Sequence, residues 1–180
     1  MLRVLPALWA GEAVTFECRH VRLAEAKLSP GPVQRPWVPI MMAGDGERVT
    51  LRQVAQYADA SNTGPGNPIG DAWGPEQMRR KHEVLRSHCE KIGRPPEAIL
   101  RTHVNFMMKL GKDESASVVR DRAVAFDFDF DRFTGTPEDA VAYYRVLVGV
   151  GVRYFITSVA DAETLRLLAE EVVPEVVRPK

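Results

Sequence analysis

The sequence predicts an α/β chain of four parallel βα units. Three observations carry that prediction: four short apolar or alternating runs, a helix-period segment after each run, and Gly or Pro punctuation between them. Parallel strands need a crossover of a dozen or more residues, and an intervening helix supplies it. A chain of 180 residues built this way makes one domain with a sizeable core.

Residues 1–39 precede the first unit as a helix, a hairpin and a proline-rich linker. Leu2, Leu5, Leu8 and Trp9 recur at helical spacing, and Gly11 is placed to end that helix. No capping residue stands before the pattern, so the chain reads as if it begins inside an element. Val14 to Glu17 and Val21 to Glu25 read as two short strands around Cys18-Arg19-His20. Pro30, Pro32, Pro36 and Pro39 keep Ser29 to Pro39 extended.

Residues 40–180 hold the four units. Ile40 to Ala43 is a short buried strand ended by Gly44 and Gly46, and Leu51, Val54, Ala55 and Ala58 form one face of the helix behind it. Ala60 to Thr63 is the second strand, closed by Gly64-Pro65-Gly66-Asn67-Pro68. A long helix follows from about Pro75 to Ile92, burying Met78, Leu85, Cys89 and Ile92 and stopped by Gly93 and Pro95-Pro96. The third strand, Ile99 to Met108, alternates: Leu100, Thr102, Val104, Phe106 and Met108 on one side, Arg101, His103, Asn105 and Met107 on the other. A helix is expected near Ser115 to Ala125. Thr136 caps another, with Pro137 at its first position and acids behind it, burying Ala140, Tyr144 and Leu147 and ending at Gly149. Tyr154 to Thr157 is the fourth strand. Asp161 opens the last helix, with Leu165, Leu168, Ala169 and Val172 on one face.

Composition narrows the function. The 24 basic and 24 acidic residues cancel, so no strong field favours nucleic acid or an anionic membrane. Two cysteines, Cys18 and Cys89, are too few for a disulfide framework and fit a reducing, cytoplasmic setting. No apolar run approaches the ~18 residues that span a bilayer, and the N-terminus has no signal-peptide pattern.

Four βα units make either an open doubly wound sheet or half of an eight-fold barrel, since a complete barrel needs ~200 residues or more. Ala43-Gly44-Asp45-Gly46-Glu47-Arg48, followed by Thr50-Leu51-Arg52 and Ala58-Asp59-Ala60-Ser61-Asn62, resembles the bacterial luciferase-like monooxygenase family, and within it the branch that uses the deazaflavin coenzyme F420. Leu8 to Glu12 with Val14 to Glu17, the proline-rich Lys27 to Pro39, Gly135-Thr136-Pro137-Glu138, and Gly151 to Phe155 fit the same pattern, so the resemblance covers nearly the whole chain. It implies the C-terminal half of a TIM-like barrel, strands five to eight. It also implies either a missing N-terminal half or a half-barrel that must cover its open edges, with homo-oligomerisation as one way to do so.

The resemblance implies an oxidoreductase or monooxygenase that uses F420, or alternatively FMN, on a small organic substrate. A non-catalytic or partner-dependent subunit is the competing expectation. In the family the loop after strand five holds the cofactor's phosphate. Its positions here are Ala43, Gly44, Asp45, Gly46, Glu47 and Arg48, with Thr50 as a further contact. A glycine-rich turn before a helix presents backbone N–H groups at the positive end of the helix dipole, which suits a phosphate; the same glycines also serve a plain βα turn. Asp45 stands where the family has a small neutral residue, and a carboxylate beside a phosphate must point to solvent. Asn62 ends the second strand on the face where barrel sites form, as a pocket residue or as a turn-forming Asn. Ser61 stands where the family often has Trp.

Other chemistry finds little support. Arg101, His103 and Asn105 share a strand face, which in a barrel would point inward; His103 and Asn105 serve there either as a pocket or as a hydrogen-bonded structural pair. His82 and His88 lack metal-spaced partners and read as helix surface or rim, while His20 falls in a hairpin turn; no metal is expected. Asp127 to Asp131 with Glu138 mimics the spacing of a calcium loop, but Arg132 occupies the position where the sharp turn needs Gly. Phe126, Phe128 and Phe130 make that segment a surface stretch or a flap over the barrel mouth. No Walker loop or Gly-x-Ser-x-Gly elbow is present, and no catalytic acid or base stands out.

Overall fold

The structure, a computed structural model, describes residues 2–63, 75–111 and 132–178, with backbone alone at 105–107 and 132–134. The expected turn at Gly64 to Pro68, the helix near Ser115 to Ala125 and the Asp127 to Asp131 segment lie outside the described residues.

The N-terminal elements are as the sequence predicts. A short helix α1 (Leu5–Trp9) ends at Gly11, whose φ of 83° is the left-handed conformation glycine adopts freely. Strands β1 (Val14–Cys18) and β2 (Val21–Ala26) pair antiparallel, with a bulge between Val14 and Phe16.

The main sheet is entirely parallel. It contains β3 (Met41–Ala43), β4 (Ala60–Thr63), β5 (Leu100–Leu110), β6 (Arg132–Gly135) and β7 (Tyr154–Val159). Strand β5 is the hub: its first half pairs with β4 on one side and β7 on the other, and its last four residues pair with β6. The four predicted strands are all present. The fifth, β6, is too short to carry a strand signal in the sequence, and it adds to β5 beyond the point where β4 has ended.

Strands β3, β4, β5 and β7 lie side by side in chain order. Right-handed crossovers between successive neighbours bring every helix to one face of such a sheet. Helices α2 (Thr50–Tyr57) and α3 (Pro75–Glu90) bury Val54, Ala55, Ala58, Leu85 and Cys89 against Ile99, with Met42 of β3 packed alongside. Helix α4 (Pro137–Gly149) buries Ala140, Tyr144 and Leu147 against Met108 and Leu110 of β5. Its start is the capping box the sequence announces: the Thr136 hydroxyl accepts from the Asp139 N–H, and the Asp139 carboxylate accepts from the Thr136 N–H.

Three expectations are corrected. Ile92 is 48% exposed, because α3 ends at Glu90 and the chain turns away before it. In the last helix, Leu165 and Ala169 face solvent, whereas Thr164, Leu167 and Val172 are buried. The buried side of α5 (Ala162–Leu167) is that of Thr164 and Leu167, and a π-helical stretch (Leu168–Val172) before α6 (Val173–Val177) sets Val172 on the side of Leu167, five residues earlier, because its turn is wider. The even alternation along β5 also fails. Between Asn105 and Met108 the register against β7 slips by one residue, and a one-residue slip moves every later side chain to the opposite face. Met108 and Leu110 therefore join the helix-side core with Tyr144, not the face of Thr102.

Candidate functional site

The loop between β3 and α2 is tightly determined. The Gly44 N–H donates to the Asn62 carbonyl at 3.1 Å, tying the loop to the C-terminal end of β4. Gly44 has a φ of 121°, which a side chain resists. A Cβ on Gly44 would sit 3.3 Å from Thr50 Cγ2, and one on Gly46 only 2.9 Å from Thr50 Oγ1. Both glycines thus let the loop close onto the first residue of α2. The Leu51 N–H donates to the Gly46 carbonyl at 3.0 Å and fixes that closure. Helix α2 opens at Val49 without a side-chain cap bond, so the residue before the helix supplies no acceptor to its first N–H groups at the positive end of the dipole.

Helix α3 braces the loop from outside. Arg80 Nε and Lys81 Nζ each reach Glu47 Oε1 at 3.0 Å, and together they hold the Glu47 carboxyl below its ordinary pKa. His88 Nε2–H donates to the Glu47 carbonyl at 2.8 Å. The Glu47 side chain is therefore occupied by α3, and what the loop can offer a ligand is backbone N–H groups together with the exposed Arg48. Counting Asp45 and Glu47 against Arg48, Arg80 and Lys81, two carboxylates face three cations, a balance compatible with an anion.

Asn62 is nearly buried, and its Oδ1 accepts from the Thr102 hydroxyl at 2.8 Å. The Asn62 side chain thus links the ends of two strands, while its carbonyl holds Gly44. Ala43, Gly44, Asp45, Gly46, Glu47, Arg48, Thr50 and Asn62 are brought together at the C-terminal end of β3 and β4, the end where βα loops build sites in parallel sheets.

His103 does not join them. It faces the helix layer: Nδ1–H donates to the Thr63 carbonyl at 3.0 Å, and Nε2 accepts from the Tyr143 hydroxyl at 2.8 Å. Burial lowers its pKa and keeps the ring neutral. Of the two readings of this residue, the structural one holds. His82 is also unlike its surface reading. It is buried on α3 with Nδ1–H donating to the Val150 carbonyl at 3.0 Å and Nε2 unpartnered. Burial first, and then the Arg101 charge, push its pKa down to about 4.

One feature of the same rim has no sequence signal. Lys109, only 13% exposed at its side chain, pairs with Asp161, which also caps α5 through the Thr164 N–H. Burial alone would raise the Asp161 pKa, but the bonds from Lys109 and Thr164 bring it down to about 2. Asp161 is legible as a helix cap. Its partner is not, because the register slip in β5 decides which face Lys109 takes. Among the described residues no His, Cys, Asp and Glu cluster could hold a metal ion, and no helix is long and apolar enough to cross a membrane.

A sequential parallel sheet with helices on one face and a glycine loop at its C-terminal rim defines a segment of a TIM-type α/β barrel. A family model described as luciferase-like monooxygenase matches residues 1–142, and the chain belongs to that family. Among solved structures it is similar to the coenzyme F420-dependent tetrahydromethanopterin reductase of Methanopyrus kandleri, with 18% identity, a TM-score of 0.73, and coverage of 96% of this chain and 61% of that one. It is similar also to an F420-dependent secondary alcohol dehydrogenase in complex with an F420-acetone adduct (15% identity, TM-score 0.73, covering 98% and 60%). A third is a riboflavin lyase with modified FMN and riboflavin (12% identity, TM-score 0.63, covering 89% and 47%). The chain thus spans about 60% of the length of the first two. At these identities the likeness is one of fold.

Proposed function

We propose that the chain is one luciferase-like domain that grips the phosphate of coenzyme F420, with FMN as the alternative, in an oxidoreductase or monooxygenase acting on a small organic substrate. The observation that carries this reading is the closure of Gly44 and Gly46 onto Thr50, which sets an uncapped helix start and the exposed Arg48 at the C-terminal rim of the sheet. Membership in the luciferase-like family supports the oxidoreductase class. Two similar structures are F420-dependent and a third holds modified FMN.

In this reading Arg48 and the N–H groups of 45–50 bind the phosphate and so orient the cofactor, while the Gly44 N–H stays on the Asn62 carbonyl. Thr50 sets the loop's shape and adds a hydroxyl donor. Arg80 and Lys81 neutralise Glu47 so that its charge does not oppose the ligand. Asn62 and Thr102 hold the floor of the loop. The bound ring, when present, supplies the hydride transfer or oxygenation.

The test is a fluorescence titration of F420, and separately of FMN, against the protein and its Gly44→Asp, Arg48→Glu double variant. The reading expects the variant to bind at least about tenfold more weakly, having lost one cation and gained two carboxylates at the anion site. Unchanged titrations with both cofactors would remove the phosphate loop from the account.

A further inference from the structure

We infer that Lys109 is an anion-binding residue at the C-terminal rim of the sheet, on the face opposite the helices, and that the group it takes is a carboxylate of a small-molecule ligand. The inference does not rest on the phosphate reading of residues 43–50. It starts from the irregularity in β5. Strand β7 keeps its alternation: Phe155 packs in the helix-side core, and Thr157 Oγ1 meets the Tyr144 hydroxyl at 2.9 Å. Strand β5 does not. Asn105 pairs with Thr157 and Met108 with Val159, so three steps along β5 match two along β7. The extra residue turns Met108 and Leu110 into the core beside Tyr144, and Lys109, between them, takes the face of Asn62 and Thr102. In an even strand Lys109 would share the helix side with His103. Bulges that re-aim a side chain gather beside active sites, and the C-terminal rim is where parallel barrels bind ligands.

Three properties fit a ligand there. Among the described side chains of β3, β4, β5 and β7, Lys109 is the one charged group on that face, where its fellows include Asn62, Thr102, Val104 and Ile156. It is also held in place. Lys109 Nζ donates to Asp161 Oδ2, while Asp161 Oδ1 accepts from the Thr164 N–H at 2.8 Å, which fixes the carboxylate. An ammonium has three N–H groups, and Asp161 takes one. Finally, the pair is lopsided: the Lys109 side chain is 13% exposed and that of Asp161 41%. Water therefore screens the carboxylate more than the ammonium, and an arriving anion meets the less screened charge. A plain tie between β5 and α5 explains less, since Asp161 caps α5 without help from Lys109 and such pairs add little stability. The site is separate from residues 43–50. Ala43 is level with Asn62 and Asn62 with Thr102, and Lys109 lies beyond Thr102 by roughly 20 Å along the strand at ~3.3 Å per residue. One ammonium, already beside one carboxylate, suits a single negative charge better than a phosphate dianion.

The probe is acetate, titrated at constant ionic strength with acetamide as its neutral counterpart. The amide NMR signals of Lys109, Ser158 and Ala160 report binding, and far-UV circular dichroism checks the fold of every variant. Acetate should shift these signals saturably, with acetamide binding at least about tenfold more weakly. Lys109→Met should weaken acetate binding at least about tenfold, and Lys109→Arg should restore part of it. Asp161→Asn keeps an oxygen to cap Thr164 but removes the competing charge, so acetate should bind about two- to fivefold more tightly. A pair that only ties β5 to α5 would lose stability in both variants and move acetate binding in neither. Arg166→Gln, which removes an exposed cation on α5, should leave the titration unchanged. No saturable shift in the unaltered protein, an equal response to acetamide, acetate affinity that survives Lys109→Met, or weaker binding in Asp161→Asn would each overturn the inference.

Discussion

Replacing Gly46 with alanine tests the packing logic of the loop directly. The new methyl would lie 2.9 Å from Thr50 Oγ1 and 3.5 Å from Thr50 Cβ. Relief requires either rotating Thr50 or lifting the loop, and lifting it breaks the bond from the Leu51 N–H to the Gly46 carbonyl. Overpacking of this kind costs about 1–3 kcal/mol, and a broken backbone bond about 1 kcal/mol. Gly46→Ala should therefore destabilise the fold by about 1–2 kcal/mol. Thr50→Ala removes Oγ1 and leaves ordinary contacts at 3.5 Å to Cβ and 3.8 Å to the backbone nitrogen, so in that background Gly46→Ala should be almost silent. The double-mutant cycle, read from urea midpoints, should give a coupling of about 1–2 kcal/mol. Gly44→Ala behaves differently: its φ of 121° penalises any side chain, so Thr50→Ala should not rescue it. Additive effects of Gly46→Ala and Thr50→Ala would show that the glycine does not serve this contact. Full rescue of Gly44→Ala would show that backbone conformation is not what requires glycine there.

Three further outcomes are expected. His82 has a folded pKa near 4 against about 6.5 unfolded, so the unfolded chain takes up its proton first. Its contribution to stability is complete above pH 6.5 and is lost as pH falls toward 4, by at most ~3 kcal/mol. Urea unfolding across that window should show the slope, and His82→Leu should flatten it; an unchanged slope would contradict the burial reading. Thr136→Ala removes the capping hydroxyl of α4 and should cost about 1 kcal/mol, with Thr136→Ser recovering most of it in thermal unfolding. Glu47→Gln leaves Arg80 and Lys81 unpaired beside the loop. Its affinity for inorganic phosphate, measured by calorimetry at low salt, should rise by up to about fivefold and fall back with added salt; weaker binding would contradict the role given to those cations.

Much of the fold is legible in the sequence because its signals are local. The Thr136-Pro137 start, Gly11 and the four strands each rest on short patterns whose physics acts within a few residues. The misread positions depend on events outside that range. The register slip at Asn105 to Met108 changes the repeat by one residue and turns Met108 and Leu110 to the helix side, and the π-helical turn at Leu168–Val172 breaks the helical repeat at Ala169. His82 looked like surface because its neighbours on α3 are charged, yet the C-terminal end of α4 folds over it and offers the Val150 carbonyl. At the candidate site, the glycine loop and Asn62 are visible from composition and order. The clamp by Arg80, Lys81 and His88 is not, since those residues lie more than thirty positions along the chain.

The most direct test of the central claim compares FMN with riboflavin, which differ only by the phosphate, in parallel titrations of the same protein. If residues 43–50 hold that group, FMN binds at least about tenfold more tightly, and the Gly44→Asp, Arg48→Glu variant brings the two affinities together. Equal affinities in the unaltered protein, or a phosphate preference that persists in the variant, would contradict the account.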